Sequence, residues 1–264
     1  MRIQRQLLRE CRRLGDAWQL RPAATEQLWG HGIRHREGVN PLLALVVPKC
    51  MAGACSAAHG VPLTSWMRKS LRQGDEILEN AIKVLEFLHD QHKIRECSFK
   101  NEMNGLSVDV VSGLVPHASD LENKQHIFAY NITFTNNSNE TLRVLSREYQ
   151  FAEASGEMAS QILPGQPEAA GVVGFTPRLR PGERFEFGSG VSFRSELGTM
   201  MGNYLIMTEP ELDGEDLRMH EEMEKAELMI RFVYYKGLGT PQFRLLLGPL
   251  RFDANVTCVA LARA

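Results

Sequence analysis

The stretch Phe128-Ala129-Tyr130-Asn131-Ile132-Thr133-Phe134 decides the fold. Large apolar side chains stand at every second position, with Ala, Asn and Thr between them. Successive side chains of an extended chain point to opposite faces, so this pattern makes a strand that is apolar on one side. The same period recurs on both flanks. Leu106, Val108 and Val110 alternate with Ser107 and Asp109, Leu142 and Val144 open another strand, and Phe185 and Phe187 start one that continues to Val191 and Phe193. Leu228, Ile230, Phe232 and Tyr234 read as a further strand, as do Phe243, Leu245 and Leu247. Asn136-Asn137-Ser138-Asn139 and Pro181-Gly182 supply turn chemistry. With no alternation of strands and helices, the pattern implies an antiparallel sandwich.

These strands also carry a resemblance. Phe128-Ala129-Tyr130-Asn131-Ile132-Thr133 is followed by Leu145-Ser146-Arg147-Glu148-Tyr149, then Gly171-Val172-Val173-Gly174-Phe175-Thr176-Pro177, Pro181-Gly182-Glu183, Ser189-Gly190, Leu197-Gly198-Thr199-Met200 and Gly202-Asn203-Tyr204. In this order they resemble the motifs of the ApaG domain, over residues of about 97–252, with Tyr149 where that family usually has Trp. The resemblance implies an immunoglobulin or fibronectin III-like sandwich that serves as an interaction module. It also directs attention to a glycine loop that in the family often reads Gly-x-Gly-x-x-Gly. Ala169 stands here in place of the first glycine, leaving Gly171 and Gly174. Two readings of those glycines stand: a structural one, in which they permit a tight crossing or positive φ, and a ligand-binding one, in which the loop cradles pyrophosphate or a nucleotide.

Before the sandwich the period changes. Ile3, Leu7, Leu8, Cys11, Leu14 and Trp18 fall on one side of a helical wheel, and Arg2, Arg5, Arg9, Arg12 and Arg13 on the other. The first 36 residues hold eight Arg and three acids. An amphipathic, Arg-rich and acid-poor start is the pattern of a mitochondrial import sequence, and equally of a basic helix that shows its arginines to an acidic partner. A second helix is expected over Met67–His92, from Leu71, Leu78, Ala81, Ile82, Leu85 and Leu88, with Ser65 as its cap. Pro22 to Pro62 reads as a loop-rich connection with a short helix around Pro41–Val47. Ile3-Gln4-Arg5-Gln6-Leu7-Leu8-Arg9 and Leu71-Arg72-Gln73-Gly74-Asp75-Glu76-Ile77-Leu78 are similar to the first and last helices of LYR-motif proteins, although Ile3 and Gln4 replace the Leu and Tyr. That likeness implies mitochondrial assembly roles and, as a partner, the acyl carrier protein. A plain helical extension is the alternative.

The fold class expected is thus α+β by segregation. A basic helical region fills 1–95 and an all-β sandwich fills 96–264. Residues 1–95 carry 15 Lys and Arg against 9 Asp and Glu, while 96–264 carry 15 against 23. Nine of the acids lie between Glu209 and Glu227, an acidic insertion read either as a solvated loop or as a docking element for a basic protein, with Leu217–Met229 able to form a helix. No apolar run approaches the 20 or so residues of a membrane span. Five cysteines in irregular spacing contain no Cys-x-x-Cys, so no zinc site, no metal and no cofactor are expected. His89 and His92 share a helix face without accompanying carboxylates in the pattern, and no nucleophile elbow, His-Glu-x-x-His or Walker loop occurs.

The function expected is therefore not enzymatic. It is that of a protein-interaction subunit or assembly factor in the mitochondrial matrix, with the mitochondrial ribosome as host. Arg5, Arg9, Arg12 and Arg13 are the candidate partner-binding residues, toward acyl carrier protein or rRNA. Two alternatives are a cytoplasmic substrate-recruiting adaptor for protein degradation, as in F-box proteins that carry ApaG domains, and a pyrophosphate- or nucleotide-binding protein.

Overall fold

A computed structural model describes residues 2–15, 18–24, 32–35, 46–51, 54, 62–73, 76–210, 214–223 and 225–258. The chain forms two compact units, one of residues 1–23 and 37–97, the other of 24–36 and 98–264.

The first unit is helical. Helix α1 spans Arg2–Leu14, α2 Leu63–Gln73, α3 Glu76–Glu79 and α4 Ala81–Glu96. Leu7, Cys11 and Leu14 of α1, at spacings of four and three, are buried with Met67, Ile77, Val84 and Leu88 in one core. The arginines fall on the outside, as the wheel requires, and α1 ends before Trp18. Arg95 donates from Nη1 to the carbonyls of Arg13 and Leu14, both at 2.8 Å, and so satisfies the last turn of α1. Gln91 is 1 % exposed. Its amide nitrogen donates to the Arg21 carbonyl at 2.8 Å, and its oxygen accepts from Trp18 Nε1 at 3.2 Å and Arg21 N at 3.1 Å. These three bonds fasten residues 18–21 to α4. Gln91→Ala removes all three and is expected to cost about 2–4 kcal/mol. Urea unfolding followed by tryptophan fluorescence would measure it.

The single helix expected over Met67–His92 is divided into α2, α3 and α4. Ser65 lies inside α2 rather than at its cap. Of the short helix expected around Pro41–Val47, residues 41–45 lie outside the described residues.

The second unit is the antiparallel sandwich. Its strands are β1 Gly32–His35, β2 Ser98–Met103, β3 Leu106–Leu114, β4 His126–Asn136, β5 Leu142–Glu153, β6 Met158–Ile162, β7 Arg178–Leu179, β8 Glu183–Phe193, β9 Leu197–Thr208 and β10 Gln242–Asp253. One sheet runs β1-β8-β4-β3-β2 and the other β10-β9-β5-β6, with β7 beside β5. The core between them holds the alternating residues of the opening heptapeptide, Phe128, Tyr130, Ile132 and Phe134, against Tyr149, Phe151, Tyr204, Leu247 and Phe252. The helical region followed by a sandwich is the fold class expected. The 22–62 connection nevertheless contributes β1, whose Gly32 pairs with Glu186 and His35 with Glu183.

A bulge divides β5 into halves of opposite facing. The β5–β9 register shifts between Val144 and Ser146, so Leu142 and Val144 face the core before it and Tyr149 and Phe151 after it. One extra residue reverses which parity points inward. Arg143 and Leu145 therefore lie on the outer face of the sheet, yet both are buried. The stretch between β9 and β10 covers them. Helix α5 spans Gly214–Met223 and α6 spans Leu228–Gly237. The strand expected from Leu228, Ile230, Phe232 and Tyr234 is thus a helix. Met229, Val233 and Tyr235 are apolar as well, so the run is apolar at nearly every position and its alternation did not discriminate. Leu145, Met207 and Tyr235 form a separate small core, with Phe232 and Leu238 packed against it.

Candidate functional site

The glycine loop leaves β5's neighbourhood through Gly171, whose N–H donates to the Leu145 carbonyl at 2.6 Å. Val172 and Phe175 then exchange backbone bonds of 2.7 and 3.0 Å across Val173 and Gly174, both at positive φ. Two positive-φ residues at the centre of such a pair make the tight turn of a twisted hairpin. Gly171 itself has φ +61, and a Cβ there would stand 2.0 Å from the Phe175 carbonyl oxygen and 3.0 Å from Leu228 of α6. Gly174 has φ +84 with open space around it. The N–H groups of Gly171, Val172 and Phe175 are thus committed to carbonyls within the protein. A phosphate cradle would need such donors free.

The loop exits at Thr176, where it meets Arg143. Arg143 Nη1 donates to the Thr176 carbonyl at 2.9 Å and to its hydroxyl at 3.3 Å. Nε donates to Glu209 Oε1 at 2.5 Å, and Nη2 lies the same distance from that oxygen. The guanidinium sits 4.2 Å from the centre of the Tyr235 ring. Arg178 Nε binds the other oxygen of Glu209. The side chains of Arg143 and Glu209 are 1 % and 3 % exposed, that of Arg178 46 %. A buried charge survives only when paired and hydrogen-bonded, and this guanidinium is both. The arrangement locks four elements together: β5, the end of the glycine loop, the start of the acidic stretch 209–227 and α6. The sequence reading missed Arg143, because an arginine between two strand leucine and valine residues reads as a solvated outward position. It counted Glu209 as one acid among nine.

The other candidate residues lie in the first unit. Arg5, Arg9, Arg12 and Arg13 are exposed along α1, and Arg13 lies 3.4 Å from Glu10. His92 Nε2 lies 3.1 Å from Glu10, and His89 is exposed. Among the described residues no group of three or more His, Cys, Asp or Glu could hold a metal.

Cys11, Tyr149, Tyr204 and Ser195 are tied into the structure. Burial pushes the Cys11 thiol up to about 12, far from the thiolate that nucleophilic chemistry needs. Burial first, and then the charge of a neighbouring phenol, likewise raise Tyr149 and Tyr204, whose hydroxyls share a 2.6 Å hydrogen bond inside the core. Ser195 Oγ bonds the Glu153 carboxylate at 2.5 Å and the Leu197 carbonyl at 2.6 Å, closing the turn between β8 and β9.

Comparison with known proteins matches the ApaG domain to residues 116–208. Protein ApaG of Rhodopseudomonas palustris (strain TIE-1) is 38% identical over 104 residues, which are 39% of this chain and 75% of that protein. Protein ApaG of Methylobacillus flagellatus is 34% identical over 110 residues, 42% of this chain and 82% of that protein. Among solved structures, the putative ApaA protein from Bordetella pertussis is 24% identical, with a TM-score of 0.42 over 56% of this chain and 92% of that one. The resemblance read from the strand motifs is therefore a relationship, and through its sandwich the chain belongs to the ApaG family.

Proposed function

We propose that the protein is a non-catalytic interaction subunit or assembly factor of a mitochondrial complex, with the mitochondrial ribosome as its host. One observation carries this reading. The arginines Arg5, Arg9, Arg12 and Arg13 are exposed on a helix whose opposite face, through Leu7, Cys11 and Leu14, is part of the core of the first unit. A helix so packed presents a basic ridge on its other side. Such a ridge suits an acidic partner, either acyl carrier protein or rRNA. The ApaG relatives named above are bacterial, so the matrix location rests on the Arg-rich start, and the acyl carrier protein on the LYR-like helices.

The test is to fractionate cells and identify by mass spectrometry what co-purifies with the tagged full chain in each fraction. Recovery with ribosomal subunits or with an acylated carrier is the expected result; recovery solely with cytosolic ubiquitin ligases overturns it. The triple substitution Arg5→Glu, Arg9→Glu and Arg12→Glu should weaken partner binding by at least tenfold while the unfolding midpoint moves little. Exposed charges contribute little to folding but set association.

A further inference from the structure

Helix α6 is apolar at nearly every position: Leu228-Met229-Ile230-Arg231-Phe232-Val233-Tyr234-Tyr235. A helix of that composition belongs in an interior. Here half of it is. Tyr235 is fully buried, and Phe232 packs against the small core that it forms with Leu145 and Met207. The other half faces outward, with Met229 37 %, Ile230 52 % and Val233 64 % exposed, around a shallow hollow of about 410 Å³. Met219 of α5, 47 % exposed, adds a second methionine from the same insertion. Isolated surface leucines are ordinary, but several large apolar side chains grouped on one short insertion mark a binding surface. Methionine suits such a surface, because its flexible thioether conforms to different partners.

Charge selects the occupant. The stretch 209–237 carries nine Asp and Glu against Arg218, Lys225, Arg231 and Lys236, and Glu221, Glu222 and Glu227 of it are exposed. An apolar helix face on a segment of net negative charge is complementary to a helix of the opposite kind, apolar on one side and cationic on its flanks. The buried anchor of Arg143, Glu209 and Tyr235 holds the surface in place before a partner arrives. We infer that the α5–α6 insertion is a docking surface for a basic amphipathic helix of a partner protein. A second copy of this chain does not supply that helix. Its own Arg-rich α1 has Leu7, Cys11 and Leu14 occupied in the core of the first unit.

This surface is independent of the α1 reading and is tested on the full chain. The probe is a fluorescently labelled 18-residue Leu/Lys peptide designed as an amphipathic helix, followed by anisotropy. Controls are a scrambled peptide of identical composition that forms no apolar face and a Leu/Glu amphipathic peptide. Saturable binding of the Leu/Lys helix is expected, at least tenfold tighter than either control and weakened at least tenfold by Ile230→Glu or Val233→Glu. Both substituted residues are exposed, so circular dichroism should show the fold unchanged. Equal binding of the scrambled peptide, or binding indifferent to Ile230→Glu, would overturn the inference. So would failure of the Leu/Lys helix to saturate, or a concentration-dependent dimer by sedimentation that Ile230→Glu abolishes.

Discussion

Gly171→Ala is expected to destabilise the sandwich by about 3–5 kcal/mol, whereas Gly174→Ala three residues away should cost about 1–2 kcal/mol. Both glycines have positive φ, so both substitutions carry the left-handed penalty of about 1–2 kcal/mol. They differ in what a methyl group would meet. At Gly174 there is open space, while at Gly171 it would sit 2.0 Å from a backbone oxygen. The oxygen belongs to Phe175, which accepts from Val172, so it cannot yield without opening the turn. Opening it loses that bond and its reciprocal and strains the Gly171–Leu145 bond, at about 1 kcal/mol each. Leu228 of α6 stands against the same position, so the insertion should loosen too. Urea unfolding of the two variants in parallel decides the matter: equal losses would show that conformation, rather than the close approach, governs the loop.

Arg143→Met should cost about 3–5 kcal/mol, because it takes the buried cation away from the Glu209 carboxylate and leaves the partly exposed Arg178 beside it. It also removes the guanidinium from the face of Tyr235, a contact of about 1–2 kcal/mol when desolvated. The double variant Arg143→Met, Glu209→Met should recover a large part of the loss, since two apolar side chains leave no buried charge at either position. A double-mutant cycle by urea unfolding measures this coupling. Hydrogen exchange supplies a second reading. In Arg143→Met the amides of α6 should exchange faster while those of β3 and β4, on the other sheet, are unchanged. Uniform acceleration across both sheets would instead mean that Arg143 supports the whole sandwich.

The sequence made the sandwich legible where one face of a strand is buried and the other is lighter. Phe128 to Phe134 and Phe185 to Phe193 alternate cleanly, and both are strands. It misled where both faces of a segment are apolar. Leu228 to Tyr235 satisfies the strand template and the helix template alike, and only the burial of Tyr235, with Phe232 packed against the same small core, distinguishes them. It was silent where tertiary pairing overrides local composition. Gly32-Ile33-Arg34-His35 has no strand pattern of its own and is extended because the edge of β8 supplies hydrogen-bond partners. The candidate site was half visible. Gly171 was singled out, but the bulge at Leu145 that turns Arg143 outward, and the helix that then buries it, lie in no local motif.

The pairing of β1 with β8 carries a kinetic consequence. Gly32 bonds to a strand at Glu186, so the contact spans more than half the sequence. Contacts so distant form late, after the loop between them has been closed by other interactions. During vectorial synthesis β1 emerges long before its partner and must wait, while the local helices of the first unit and the β3–β4 hairpin can already form. Until β1 arrives, β8 presents an open edge to any other extended chain. The order of emergence thus makes the interval between completion of β8 and capture of Gly32–His35 the period in which this chain is most exposed to mispairing.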